Sequence, residues 1–259
     1  MADVEVDQRG DIRIIRINRP EARNALNAAV ISGIGSGIEE ADRDPDIRAV
    51  IITGTGDRAF CAGMDLRNFA QGAESPPSAA QNAAASAYQR FIREGAAKPV
   101  IAAANATAVA GGFELLLACD MVVAAENAQF GLPEVKRALF PAGGGVFLSR
   151  RIPLAVAYEL TLTGDTISAD RALSLGLINQ VVPQTEVLEA AVALAQRVTS
   201  NGPLAVQAIK QLVHAAANLP PAQVWAMQAD LHPKVFGSED AREGATAFIE
   251  RRQPVWKGR

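Results

Sequence analysis

Residues 11–17 (DIRIIRI) alternate apolar and polar positions imperfectly and then meet Asn18-Arg19-Pro20, which predicts a strand ending in a loop. Leu26, Val30, Ile31, Ile34 and Ile38 recur at helical spacing and predict an amphipathic helix over 25–42. The turn Asp44-Pro45-Asp46 leads into Ala49-Val50-Ile51-Ile52, a continuous apolar run that reads as a buried strand. A second such run covers 99–104 (PVIAAA), followed by Gly111-Gly112 and a helix over about 112–118, and Met121–Ala125 predicts a further strand. Strand and helix signals alternate in this way to about residue 185, which is an α/β pattern. Beyond 186 the strand signals stop. Residues 186–199 and 203–216 are rich in Ala and Leu at helical spacing, and Ser238 is placed to cap a last helix over 238–252. The division expected is an α/β core over 1–185 and a helical region over 186–259.

The 259 residues are 49% hydrophobic and only 5% aromatic, so the core is expected to be built from Ala, Val, Leu and Ile. A chain of this size buries roughly three quarters of its extended surface and needs no disulfide or metal to fold. Lys+Arg number 25 and Asp+Glu 28, giving a net charge of -3. No global basic field is present to hold nucleic acid, and no nucleic-acid partner is expected. The uncharged stretches 99–113 and 75–89 span 15 residues each, short of a membrane-crossing helix, and both contain polar residues. The first residues are acidic and carry no apolar signal segment. Cys61 and Cys119 form no ligand pattern, and a reducing cytoplasm is the simplest location. With His214 and His232 the only histidines, neither a His-rich metal site nor a Ser–His–Asp mechanism is expected. Residues 71–88 are of low complexity and read as a loop giving way to a helix near 80, either a surface insertion or a lid.

Three segments carry candidate chemistry. The run Ala59–Leu66 follows a strand and precedes a helix expected to start near Asp65; its small residues at 62 and 63 leave backbone N–H groups free, as they would in any tight strand-to-helix turn. In Ala108–Leu115, Gly111-Gly112 frees amides again, and Glu114 lies three residues on, over the face of the Gly111 amide. Glu114 is flanked by Phe113, Leu115, Leu116 and Leu117, where a carboxylate is costly unless paired or functional. In Phe130–Val135, Pro133 suits a first helical turn, and Glu134 there satisfies the helix dipole whatever else it does. Phe113 and Phe140 are read as core packing rather than as pocket wall, and both histidines as structural.

Taken together and in order, these segments resemble the crotonase family, the enoyl-CoA hydratases and isomerases. The resemblance is carried by Asn18-Arg19-Pro20 with Asn24-Ala25-Leu26-Asn27, AFCAGMDL, GGFELLLACD, FGLPEVKR, Pro141–Gly145, LTGDTISADRALSLGLINQVVP and SEDAREGATAFIERR, and it covers essentially the whole chain. It implies a core of repeated β-β-α units, a C-terminal helical region that mediates trimerisation, and in many members a dimer of trimers. It further implies an acyl-CoA thioester as substrate, with the CoA belonging to that substrate and no metal or other cofactor.

The family's oxyanion-stabilising N–H groups fall on Met64 and Gly111, and the two glutamates of its hydratases on Glu114 and Glu134. Keeping both glutamates points to hydration of a 2-enoyl-CoA or its reverse. Carnitinyl-CoA dehydratases keep both as well, and isomerisation is the other alternative. The family's CoA contacts fall on Ala22, Arg23, Ala25 and Ala62, with Asp65 and Leu66 beside them. Arg67 and Arg251 are candidates for phosphate contacts or simply solvated arginines. A non-catalytic acyl-CoA or RNA-binding paralogue is the reading from a different class.

Overall fold

A computed structural model of the chain describes residues 2–65 and 79–259. Leu66, Arg67 and residues 71–78 of the low-complexity segment therefore lie outside the described residues, as does the helix expected near Asp65; the helix expected near 80 begins at Ala79.

The six-stranded sheet runs β1 (Val4–Arg9), β2 (Ile12–Ile17), β3 (Ala49–Gly54), β4 (Val100–Ala104), β6 (Met121–Ala125) and β9 (Gln180–Val182). Only the β1–β2 hairpin is antiparallel. The remaining pairs are parallel, with Ile14 opposite Ile51, Ile52 opposite Ala102 and Ala102 opposite Val122. Every residue of β3 and β4 is buried, which is why these strands read as unbroken apolar runs rather than as alternations. Helix α1 (Ala28–Arg43) packs on β1, β2 and β3 and against α2 (Ala79–Glu94). Asn27 caps α1 by accepting from the Val30 amide at 2.8 Å, so the helix begins later than its apolar periodicity suggests. Leu26, counted as helical from the sequence, instead pairs with Met64 in an isolated parallel bridge.

A three-stranded sheet, β5 (Ala108–Val109), β7 (Gln129–Gly131) and β8 (Thr166–Ser168), stands beside the first. It is joined to the preceding loop by a bridge between Cys61 and Ala108. Helix α3 (Gly111–Ala118) follows β5 directly. Short 3-10 turns at Pro133–Arg137 and Gly145–Arg150 and helix α4 (Leu154–Thr163) then return the chain to β8 and α5 (Ala169–Ser174). Phe113, buried, stacks on Phe130 at 5.8 Å and belongs to the core. Phe140 does not: it is 73% exposed on the loop between the two 3-10 turns, which corrects the core-packing expectation for that residue.

The expected boundary at 186 also moves. Helix α6 (Val187–Thr199) buries Val187, Ala191, Val192, Leu194 and Ala195 and packs on β2, β3, β4 and β6, so the α/β core continues through Thr199. Helices α7 (Pro203–Asn218), α8 (Pro221–Phe236) and α9 (Glu239–Glu250) form the helical remainder. Ser238 caps α9 as expected, accepting from the Ala241 amide. The last residues fold back: the Asp240 carboxylate accepts from the Lys257 and Gly258 amides, Trp256 donates its indole N–H to the Ser200 carbonyl, and Arg48 donates to the Trp256 carbonyl. No helix among the described residues is long and apolar enough to cross a membrane.

Candidate active site

The loop after β3 is held by one buried side chain. Asn24, in the left-handed region at φ 55°, accepts from the Arg19 amide and donates to the Thr55 and Ala59 carbonyls at 3.0 and 2.7 Å. This fastens the Asn18–Asn24 turn to the segment that leads into Cys61–Asp65. Arg19, largely buried, pairs with the Asp65 carboxylate at 3.1 Å and donates to the Ala25 carbonyl. The parallel bridge with Leu26 then uses the groups either side of Met64. The Leu26 amide donates to the Gly63 carbonyl, and the Asp65 amide donates to the Leu26 carbonyl. In that geometry the Met64 N–H faces away from Leu26.

It faces the start of α3. Ala110 sits at φ 52°, ψ -133°, a conformation that L residues rarely adopt, and this turns the chain from β5 into α3 so that the Gly111 amide opens the helix. A β-carbon placed on Gly111 would lie 3.8 Å from the Met64 nitrogen, and one on Gly63 would lie 2.9 Å from the Gly111 nitrogen. The two amides are thus neighbours. Among the described residues neither donates to a backbone acceptor. Gly63, at φ 81°, has no room for a side chain in this approach.

Glu114, in the first turn of α3, is buried. Its partners are not local. Oε1 accepts from the Gly143 amide at 2.7 Å, on the loop before the second 3-10 turn, and from the Gly145 amide at 2.8 Å, at the first residue of that turn. A β-carbon on Gly143 would meet Glu114 Oε2 at 2.7 Å, so glycine there is what lets the loop amide reach the carboxylate. Glu134 enters from the first 3-10 turn, behind Pro133. Its Oε2 is buried and has no hydrogen-bond partner. Burial pushes its carboxyl above the ordinary carboxylate range; its own backbone N–H opposes the shift, the nearby Glu114 adds to it, and Arg137 opposes it. A carboxyl held toward its neutral form beside an anchored carboxylate is an arrangement that can give and take a proton across a small substrate.

The sequence does not reveal two buried groups, Tyr88 and Cys61, as neighbours of this centre. Burial raises the Tyr88 hydroxyl, with Cys61, Glu114 and Cys119 adding to the shift, so Tyr88 stays neutral. Burial pushes the Cys61 thiol up to about 12, which removes it as a thiolate nucleophile. Among the described residues no cluster of His, Cys, Asp and Glu is arranged to hold a metal ion.

The remaining expected contacts divide. Arg23 is exposed and Ala22 partly buried on the same turn. Ala25 is buried, and its amide donates to the Ala22 carbonyl while its carbonyl accepts from Arg19. The Ala62 amide donates to the Arg23 carbonyl. Asp65, expected among the substrate contacts, spends its carboxylate on Arg19 and so positions the loop. Leu66 and Arg67 lie outside the described residues. Arg251 ends α9 at φ 55°. The residues that hold the site together, Asn24, Gly143 and Gly145, were visible in the sequence as motif letters but not as partners. Their bonds join positions 29 to 35 apart, which periodicity does not reveal.

The chain is similar to known proteins over its whole length. The family model for enoyl-CoA hydratase/isomerase matches residues 7–259. A carnitinyl-CoA dehydratase of Salmonella typhi is 40% identical over 261 residues, covering 99% of this chain and 98% of that protein. Among solved structures, an enoyl-CoA hydratase from Mycobacterium tuberculosis H37Rv superimposes with a TM-score of 0.90 at 44% identity, with both chains fully covered. A carnitinyl-CoA hydratase from Mycobacterium avium does so at 0.77 and 45%, again over both full chains. A match across nearly every residue, on the fold that brings two amides and two glutamates together, makes this chain a member of the enoyl-CoA hydratase/isomerase, or crotonase, family.

Proposed function

We propose that the protein is an enoyl-CoA hydratase, adding water reversibly across the 2,3 double bond of a 2-enoyl-CoA thioester in acyl-CoA metabolism. The observation that carries this reading is the placement of two glutamates, one anchored and one with an unpartnered buried oxygen, beside two neighbouring free amides. The amides of Met64 and Gly111 receive the thioester oxygen and stabilise the charge that builds there as water adds at Cβ. Loss of one such donor costs roughly 10²–10³ in rate in comparable sites. Glu114, oriented by the Gly143 and Gly145 amides, holds the water and takes its proton. Glu134, kept toward the protonated form by burial, delivers a proton to Cα. Dehydration runs the same steps in reverse. No metal or further cofactor is needed, and the CoA arrives with the substrate. Ala22, Arg23 and the Ala62 carbonyl are the groups left to meet that CoA.

The test is incubation with crotonyl-CoA, followed by loss of the enoyl-thioester absorbance and by mass. A gain of one water supports hydration, and unchanged mass with a moved double bond supports isomerisation. A panel of C4 to C16 and branched 2-enoyl-CoAs then fixes the chain length. A second reading is dehydration of carnitinyl-CoA, supported by the names of relatives at 40–45% identity.

Self-association accompanies the reading. Phe248 and Ile249 are 86% and 79% exposed at the end of α9, and Phe236 is exposed at the end of α8; apolar groups of this size favour a second copy of the chain, as in the homotrimer or dimer of trimers that the resemblance implies. Light scattering after gel filtration measures it. Both cysteines are free and buried, in keeping with a reducing cytoplasm.

A further inference from the structure

The segment from Pro133 to Arg151, which supplies Glu134 and the two amides that hold Glu114, carries four cations: Lys136, Arg137, Arg150 and Arg151. Three are engaged. Lys136 donates to Asp165 at 2.6 Å. Arg150 donates to Asn218 at 2.6 Å and lies over the Phe147 ring at 4.8 Å. Arg151 donates to the Leu117 carbonyl at 2.9 Å. Arg137 is exposed and, among the described residues, has no hydrogen bond or ion pair. It lies three residues after Glu134 in the same 3-10 turn, a spacing that eclipses the two side chains on one face. Its field reaches the Glu134 carboxyl, which it pulls toward the charged form.

A thioester whose oxygen is held at Met64 and Gly111 has Cα and Cβ at the two glutamates. Whatever the acyl chain carries beyond Cβ lies past Glu134. We infer that Arg137 reads that distal end, and that the protein takes 2-enoyl-CoAs whose acyl chain bears a carboxylate in preference to those bearing a fixed positive charge. The inference rests on the two-glutamate reading above. It runs against the carnitinyl-CoA alternative, because a quaternary ammonium at that point would face an unneutralised guanidinium.

The experiment compares three thioesters: crotonyl-CoA and its 4-carboxy and 4-trimethylammonio derivatives. Each is assayed by kcat/KM with the wild-type chain and with R137Q, R137E and R137K. Arg137 is exposed, so folding is expected to survive all three changes, and the circular dichroism spectrum and melting temperature of each variant check it. The wild-type chain is expected to favour the 4-carboxy over the 4-trimethylammonio compound by about tenfold or more, the scale of one close charge pair. R137K keeps the preference, R137Q brings the two compounds to within about threefold, and R137E inverts the order. A preference unchanged in R137Q and R137E, or a wild-type preference for the trimethylammonio compound, overturns the role of Arg137 while leaving hydration intact. Failure to hydrate any of the three overturns the two-glutamate reading, and the inference with it.

Discussion

The Gly143 amide donates to Glu114 Oε1 at 2.7 Å across 29 residues of chain, in a space where a β-carbon would touch the other carboxylate oxygen. The contact ties the orientation of a buried acid to the absence of a side chain on a loop. Replacing Gly143 with Ala is therefore expected to displace Glu114 without unfolding the protein. Crotonyl-CoA hydration is expected to fall by about 10²-fold, in line with losing an oriented general base, with the melting temperature changed by only a few degrees. Steady-state rates beside a thermal melt check it; unimpaired turnover would show that the loop amides do not set the Glu114 geometry.

Glu114→Gln and Glu134→Gln keep shape and remove the exchangeable acid. Each is expected to lower hydration by roughly 10²–10⁴ while acyl-CoA binding stays within a few-fold. Calorimetric titration with a saturated acyl-CoA separates the two effects. Full activity in either variant removes the two-glutamate mechanism.

The raised proton affinity of Glu134 fixes the sign of two pH effects. Hydration needs this group protonated, so the rate is expected to fall as pH rises through its elevated pKa, and Glu134→Gln should lack that limb in its residual activity. Folding follows the same direction. The neutral form is favoured in the folded state, so its contribution to stability is complete below the ordinary glutamate pKa and is lost as pH rises through the folded one. The melting temperature of wild type minus that of Glu134→Gln should decline over that window. A difference that instead grows with pH would contradict the buried, unpartnered placement of Oε2.

Asn24 holds three hydrogen bonds in a fully buried position. Asn24→Ala leaves the Arg19 amide and the Thr55 and Ala59 carbonyls without this partner and places Ala in a left-handed conformation. A loss of about 2–4 kcal/mol is expected from the unmet polar groups and the backbone term. Denaturant unfolding measures it. Because the same turn carries Ala22 and Arg23, KM for the thioester should rise more than kcat falls.

The legible part of the fold is the part whose chemistry is local or repetitive. Strands β2, β3, β4 and β6 announce themselves because both faces are covered and polar residues are nearly absent. Ser238 reads as a cap because capping spans three residues. Strand β1 was missed because it lies at the sheet edge, with Glu5, Asp7 and Gln8 exposed and only two apolar positions to signal it. Helix α8 was missed because it buries nothing within the chain and so has no apolar stripe with an inside. Helix α6 reads from the sequence as part of the helical appendage because an amphipathic pattern says that a face is covered but not by what. At the site, Met64, Gly111, Glu114 and Glu134 are legible only through the resemblance; the structure sets the first two amides side by side and puts Glu134 within electrostatic reach of Glu114. The Arg19–Asp65 pair and the Gly143–Glu114 contact join distant positions and left no trace in spacing.

The two amides at Met64 and Gly111 belong to the main chain, and this has an evolutionary consequence. Drift at position 64 leaves its N–H unchanged, and only an imino acid or a refolded turn would silence it. A scaffold whose electrophile grip is written in peptide groups can accumulate mutations around the acyl tail, Arg137 included, without losing its first chemical step. Laboratory selection for new thioesters should thus find its productive changes at the tail and spare the turn at Ala110.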